Sequence, residues 1–141
     1  MMDFVHFGDT HLGGGNYKLR EREQDFLDSF KQVIDYCVKE EPSFIIHSGD
    51  LFDKGKPSNQ VLLFVIEQLK RLKQSGIPLV IVPGSHDVSV DGTLITVLER
   101  VGLLVNAGKP EHFQREGDGF LVSGVDLGEA VVYGVPGRRA N

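Results

Sequence analysis

Asp9 and His11 stand two residues apart, directly after a short apolar run in FVHFGDTH. Where a strand frays, that spacing lets both side chains turn to one side and chelate a single ion. A second apolar run, SFIIH, leads into Gly49-Asp50-Leu51-Phe52-Asp53, and a third, IPLVIV, leads into Gly84-Ser85-His86-Asp87. Carboxylate oxygen and imidazole nitrogen suit manganese, iron, zinc or magnesium. Asp50 could bridge two such ions. Two ions roughly 3.5–4 Å apart clamp a phosphoryl group and acidify a bound water. His86 is the candidate general acid for the leaving oxygen. A neighbouring carboxylate, Asp53 or Asp87, would hold its ring and raise its pKa. Gly49 and Gly84 would let the backbone turn sharply so that the next side chain faces the site. Singly, an Asp after a strand is an ordinary turn former or cap, and a lone His is an ordinary polar residue. The weight comes from D-x-H, G-D-x-x-D and G-x-H-D following three strands in order.

The elements must place those three motifs on one rim. Phe4 to Gly8, Ser43 to His47 and Ile77 to Val82 read as short buried strands. Phe26, Phe30, Val33, Ile34 and Cys37 recur at helical spacing from about Arg20 to Glu40, and Pro42 stops that helix. Ser58 is a cap for a second helix reaching about Gln74, with Gly76 as its stop. Six consecutive apolar residues, Val61 to Ile66, would also suit a strand, but Leu69 and Leu72 extend the helical spacing. A helix apolar around its circumference lies deep in the domain or meets a partner. Thr93 to Val101 reads as a third helix, Leu103 to Asn106 as a fourth strand. Gly119 to Val125 and Ala130 to Val135 are hairpin-like. Alternating strands and helices imply an α/β fold: a mostly parallel sheet flanked by helices on both faces, with a β-rich C-terminal tail. Ligands in such sheets gather at the carboxyl ends of the strands. His6 and His47, inside strands, read as buried hydrogen-bonded residues. His112 reads as a surface residue of the tail, and Cys37 as a core residue.

The 141 residues allow one domain, 1–141. With 40% hydrophobic and 25% charged residues the composition is that of a soluble globular chain. There is no membrane-length apolar run and no secretory n-region, so the expected location is cytoplasmic. One cysteine excludes an internal disulfide. A net charge of -5 argues against nucleic-acid binding unless cations reverse the field at the site.

In this order and at these strand ends, the motifs resemble the calcineurin-like metallophosphoesterase superfamily. FGDTHLG, REREQDFLDSF, HSGDLFDKGKPS and IPLVIVPGSHD resemble more narrowly the repair nuclease family called meiotic-recombination-eleven, SbcD in bacteria, in its archaeal branch. Protein phosphatases of the superfamily carry Asp-Arg-Gly after the G-D motif, whereas this chain has Asp53-Lys54-Gly55. The resemblance implies a partial metallophosphoesterase sandwich and a manganese-dependent nuclease of double-strand break repair. It implies DNA as substrate, an SMC-like ABC ATPase partner and a prokaryotic, nucleoid-associated location. By motif match, Asp9 and His11 bind the first ion, Asp50 bridges, position 85 serves the second ion, and His86 acts on the leaving group with Asp53 as its partner. It also implies a homodimer through the second and third helices, which would occupy Leu62, Val65, Ile66, Val97 and Val101. Ser85 stands where the family has Asn, and a hydroxyl reaches less far than an amide oxygen. The family's later histidine motifs do not occur in this chain, so the expectation is an N-terminal fragment with weak metal binding and little activity of its own. Two other readings stay open: a phosphodiesterase acting on small phosphoesters, and a dimerisation module without chemistry.

Overall fold

The computed structural model describes residues 2–14, 20–87 and 93–137. The order is β1 (Phe4–Phe7), α1 (Arg20–Glu40), β2 (Phe44–His47), α2 (Asn59–Gln74), β3 (Leu79–Ile81), α3 (Leu94–Arg100) and β4 (Val105–Asn106). A 3-10 turn at Pro110–His112 leads into β5 (Phe113–Glu116), β6 (Gly119–Val122), β7 (Val125–Asp126) and β8 (Val131–Val132). β1 to β4 form one parallel sheet in chain order. The α/β class and the β-rich tail are those expected from sequence.

One expectation changes. Alternate strand residues Val5, Phe7, Ile45, Leu79 and Ile81 share a single cluster with residues of α1, α2 and α3. The helices therefore pack on one face of the sheet, not on both. Topology explains it: strands added in sequential order by right-handed crossovers put every helix on the same side. On the other face Phe4 stacks on Phe44, with ring centroids 5.2 Å apart, and stays 53% exposed.

The helix ends follow their caps. Ser58 accepts from Val61 N–H at the start of α2, and Thr93 accepts from Thr96 N–H at the start of α3. After α2, Gly76 turns left-handed (φ 72°) and its N–H reaches Lys73 O. The apolar run of α2 resolves into one buried stripe: Val61, Val65, Leu69 and Leu72. Leu63 on the opposite side is 59% exposed. Between the helices, Asp35 on α1 takes Lys31 at 2.7 Å and Arg71 of α2 at 2.6 Å. Those two cations hold its carboxyl below the usual carboxylate range. The tail also holds a strand, β5, that lies outside the two runs marked in the sequence. β5 pairs antiparallel with β6 through a turn in which Gly117 has φ 59°.

Leu69 is fully buried at the centre of the helix-to-sheet cluster. Leu69→Ala should cost about 2–5 kcal/mol in urea unfolding. A loss below about 1 kcal/mol would mean that the helix layer does not depend on this stripe.

Candidate metal centre

The carboxyl ends of β1, β2 and β3 lie side by side because the strands are parallel neighbours in register, Phe7 beside His47 beside Ile81. Beyond them the chains continue to pair. Asp9 N–H bonds Gly49 O, His11 N–H bonds Asp50 O, and Leu12 N–H bonds Leu51 O, each at 2.9 Å; Asp53 N–H returns to Leu12 O at 3.2 Å. This zipper carries side chains that ordinary strand geometry would not aim together. Asp9 (φ 52°), His11 (φ 41°) and Asp50 (φ 52°) all sit in the left-handed region. Among the described non-glycine residues, only Glu41, just past the end of α1, shares it. Left-handed backbone costs a non-glycine residue of order 1–3 kcal/mol and persists only where the surroundings over-determine it. Three such residues around one point mark a constrained site.

Two groups of donors result. Asp9, His11 and Asp50 bring ligand atoms within 4.8 Å of one another, and so do His11, Asp53 and His86. His11 belongs to both. Its Nε2 lies 3.9 Å from an Asp9 oxygen and its Nδ1 lies 3.3 Å from Asp53 Oδ1. The second contact is misaligned for a hydrogen bond, which leaves Nδ1 buried with no hydrogen-bond partner. A buried, unbonded imidazole nitrogen among carboxylates fits a cation ligand, as does the hard oxygen-rich set of Asp9 and Asp50.

The third strand end closes the site. His86 N–H donates to Asp50 Oδ1 at 2.8 Å, fixing the carboxylate expected to bridge. His86 itself is exposed, and its Nδ1 meets Asp53 at 2.6 Å through the main-chain oxygen rather than the carboxylate. The partner residue is the expected one, but the atom differs, and the Asp53 carboxylate faces His11 instead. The rings of His11 and His86 meet edge to face, centroids 5.0 Å apart. Ser85 opens the same turn, half-buried. Asp87 is turned inward: its Oδ2 takes Gly84 N–H at 3.0 Å and Leu51 N–H at 3.4 Å, and burial raises its pKa against those bonds. It therefore ties the β3 loop to the β2 loop.

Space matters as much as conformation at the two glycines. A Cβ on Gly49 (φ 105°) would come within 2.5 Å of Gly84 N, and one on Gly84 would collide with the Asp50 carboxylate. The expected sharp turn holds at Gly49. At Gly84 the need is room for Asp50.

Other residues fall where their surroundings dictate. His47 is fully buried and bonded, as expected. His6, on the other side of the same sheet, is exposed, contrary to expectation. His112 is half-buried with its Nδ1 3.0 Å from Ala107 O. Of the residues expected to meet a second subunit, Val97 and Val101 are 55% and 57% exposed. Leu62 and Ile66 are half-buried against the core. Val65 is fully buried within the chain and cannot meet a partner, because it lies on the stripe facing the sheet. Leu63 takes its place at the surface. Its signal was available in the sequence: it lies off the Val61, Val65, Leu69, Leu72 spacing.

With this geometry in place the family is plain. The calcineurin-like phosphoesterase pattern matches residues 2–138, and the chain belongs to that family. Among its relatives is the DNA double-strand break repair protein Mre11 of Sulfurisphaera tokodaii, 40% identical over 134 residues, covering 93% of this chain and 32% of the relative. The protein of the same name from Saccharolobus solfataricus is 37% identical over 142 residues, covering 96% of this chain and 33% of the relative. Its namesake from Haloferax volcanii is 36% identical over 112 residues, covering 79% and 25%. The chain thus spans about a third of the length of the first two. No helix of the described residues is long and apolar enough to cross a membrane.

His47 locks the two ligand loops together. Gly49 N–H donates to its Nδ1 at 3.2 Å, so the proton sits on Nε2, which meets Thr10 Oγ1 at 3.1 Å; Thr10 in turn donates to Leu51 O at 3.1 Å. Burial lowers its pKa from 6.5 to about 4. The unfolded chain then binds the proton first, so stability is full above about pH 6.5 and falls as pH drops toward about 4. Urea unfolding between pH 7 and pH 4 should show a loss of roughly 3 kcal/mol from this group. The His47→Gln variant, less stable throughout, should lack that component; an equal pH slope in both would remove His47 as its source.

Proposed function

We propose that this chain carries part of the active site of a metal-dependent DNA nuclease of double-strand break repair, a two-metal phosphodiesterase with manganese as its ion. The observation behind it is the Asp9, His11 and Asp50 cluster on left-handed backbone, in a chain similar to proteins named for break repair. Asp9 and His11 would hold the first ion, Asp50 would bridge, and Ser85 would lie toward the second. Bound cations would supply charge neutralisation at the phosphoryl group and acidity to water. The chain's own contribution is position. His86 donates its Nδ1–H to the Asp53 carbonyl, so the ring would act as acid from Nε2 when that nitrogen also carries a proton. With the first ion on His11 Nε2, Nδ1–H would lie on the side of the Asp53 carboxylate, 3.3 Å from Oδ1. The SMC-like ABC ATPase partner belongs to the same reading through the resemblance.

In a protein carrying the whole site, Asp50→Ala should remove Mn2+ binding and single-stranded DNA cleavage together. Retained cleavage would remove the bridging role. His86→Gln should keep Mn2+ affinity and lower the cleavage rate by about 10²-fold or more. An unchanged rate would reject His86 as the acid. Cleavage of a small chromogenic phosphodiester with DNA left intact would favour the phosphodiesterase reading.

The homodimer also has an observation in its favour. Leu63, Ile66 and Lys70 recur at helical spacing on α2. Ile66 and Lys70 line an apolar cavity of about 640 Å³ with Val101 and Leu103. Exposed Val97 and Val101 continue it on α3. Leu62 is a poor test site because it supports the core. Val97→Glu should turn a sedimenting dimer into monomer without unfolding it; an unshifted dimer would exclude this face.

A further inference from the structure

His11 presents different nitrogens to two different donor groups, and a neutral imidazole has one lone pair. If Nε2 serves an ion with Asp9 and Asp50, Nδ1 keeps the proton. If Nδ1 gives the lone pair, the proton moves to Nε2 and the ion must sit beside Asp53. The spacing there is that of a metal site. His11 Nδ1 and Asp53 Oδ1 are 3.3 Å apart and misaligned for a hydrogen bond. Two ligands on a tetrahedral ion with bonds of about 2.0–2.1 Å are themselves about 3.3 Å apart. A ring nitrogen of His86 completes the trio within 4.8 Å, and the bond to the Asp53 carbonyl places the proton of the neutral ring on Nδ1. A cavity of about 150 Å³ lined by His11, Gly14, Phe26 and Asp53 adjoins the pair.

We propose that His11, Asp53 and His86 form a second cation site, selective for zinc, whose occupancy excludes an ion from the Asp9, His11 and Asp50 site. Two imidazoles and one carboxylate in a tetrahedral array suit zinc, whereas the two carboxylates and one imidazole of the other group suit manganese or magnesium. Zinc in the second site also takes the lone pair of His86. On the nuclease reading it would therefore inhibit, removing the leaving-group acid and one ligand of the first ion together.

The test needs no DNA, so its outcome is separate from that reading. Zn2+ and Mn2+ are titrated separately into the 141-residue chain, Zn2+ by competition with a chromophoric chelator, and Co2+ is used as a visible-absorption probe of tetrahedral geometry. His86→Gln, at an exposed position, should weaken Zn2+ at least ten-fold and leave Mn2+ unchanged; Asp9→Asn should do the reverse. Mn2+ should displace bound Zn2+ in a competitive manner. Absence of Zn2+ binding, Zn2+ affinity indifferent to His86→Gln, or Zn2+ affinity lost in His6→Gln or His112→Gln would overturn the site. An octahedral Co2+ spectrum would overturn its geometry.

Discussion

Four backbone hydrogen bonds beyond the ends of β1 and β2 hold the rest of the site in place. They join residues 9–12 to residues 49–53 as though the parallel sheet continued, yet the chain there is not extended. Asp9, His11 and Asp50 are each held at positive φ between bonded neighbours. A strand alternates its side chains to opposite faces. Left-handed residues break that alternation, so carboxylates and an imidazole from two chains can converge. The cost is met by the sheet behind them, whose central strands are almost fully buried, and by the His47–Thr10–Leu51 relay. The donors are thus gathered by backbone and by a neutral buried histidine. A cation would enter a site already formed.

The third strand works differently. It contributes by contact with the other two: His86 N–H on Asp50, Asp87 on Leu51 N–H, and Gly84 yielding room for the Asp50 carboxylate. Asp87 shows the division of labour among acidic residues in one motif. It is buried, and one of its oxygens, Oδ2, accepts from main-chain amides. Asp9, with 83% of its side chain exposed, is open to an ion and to solvent.

Elements and motifs were legible in the sequence because they rest on local chemistry. The 3.6-residue spacing of α1, the Ser58 cap and the three polar strand ends all read correctly, down to the bounds of α1. What escaped depends on three dimensions. The one-sided helix layer follows from strand order, which spacing alone does not give. His6 and His47 are in equivalent sequence contexts, one before each motif, yet one is exposed and the other buried, because adjacent strand residues face opposite sides. Val65 and Leu63 differ for the same kind of reason on a helix. The partner of His86 was read to the right residue and the wrong atom, since main-chain oxygens are invisible to a motif. The left-handed residues were the least legible feature: Asp and His adopt positive φ more often than most residues, but too seldom for identity alone to mark it.

His11 shows why such details bear on function. A motif assigns it one role, as a ligand beside Asp9. The structure gives its ring a carboxylate at each nitrogen, and the tautomer decides which of two donor groups is complete. A neutral ring has one lone pair, so the two groups compete for it. The composition of each group then biases which cation wins: oxygen-rich for manganese or magnesium, nitrogen-rich for zinc. The acidic balance of the chain, -5 overall, acquires a local meaning here. The carboxylates that would repel a phosphodiester are those that attract cations. A rim that holds a cation on either side of the His11 ring therefore attracts an anionic substrate that the bare carboxylates would repel.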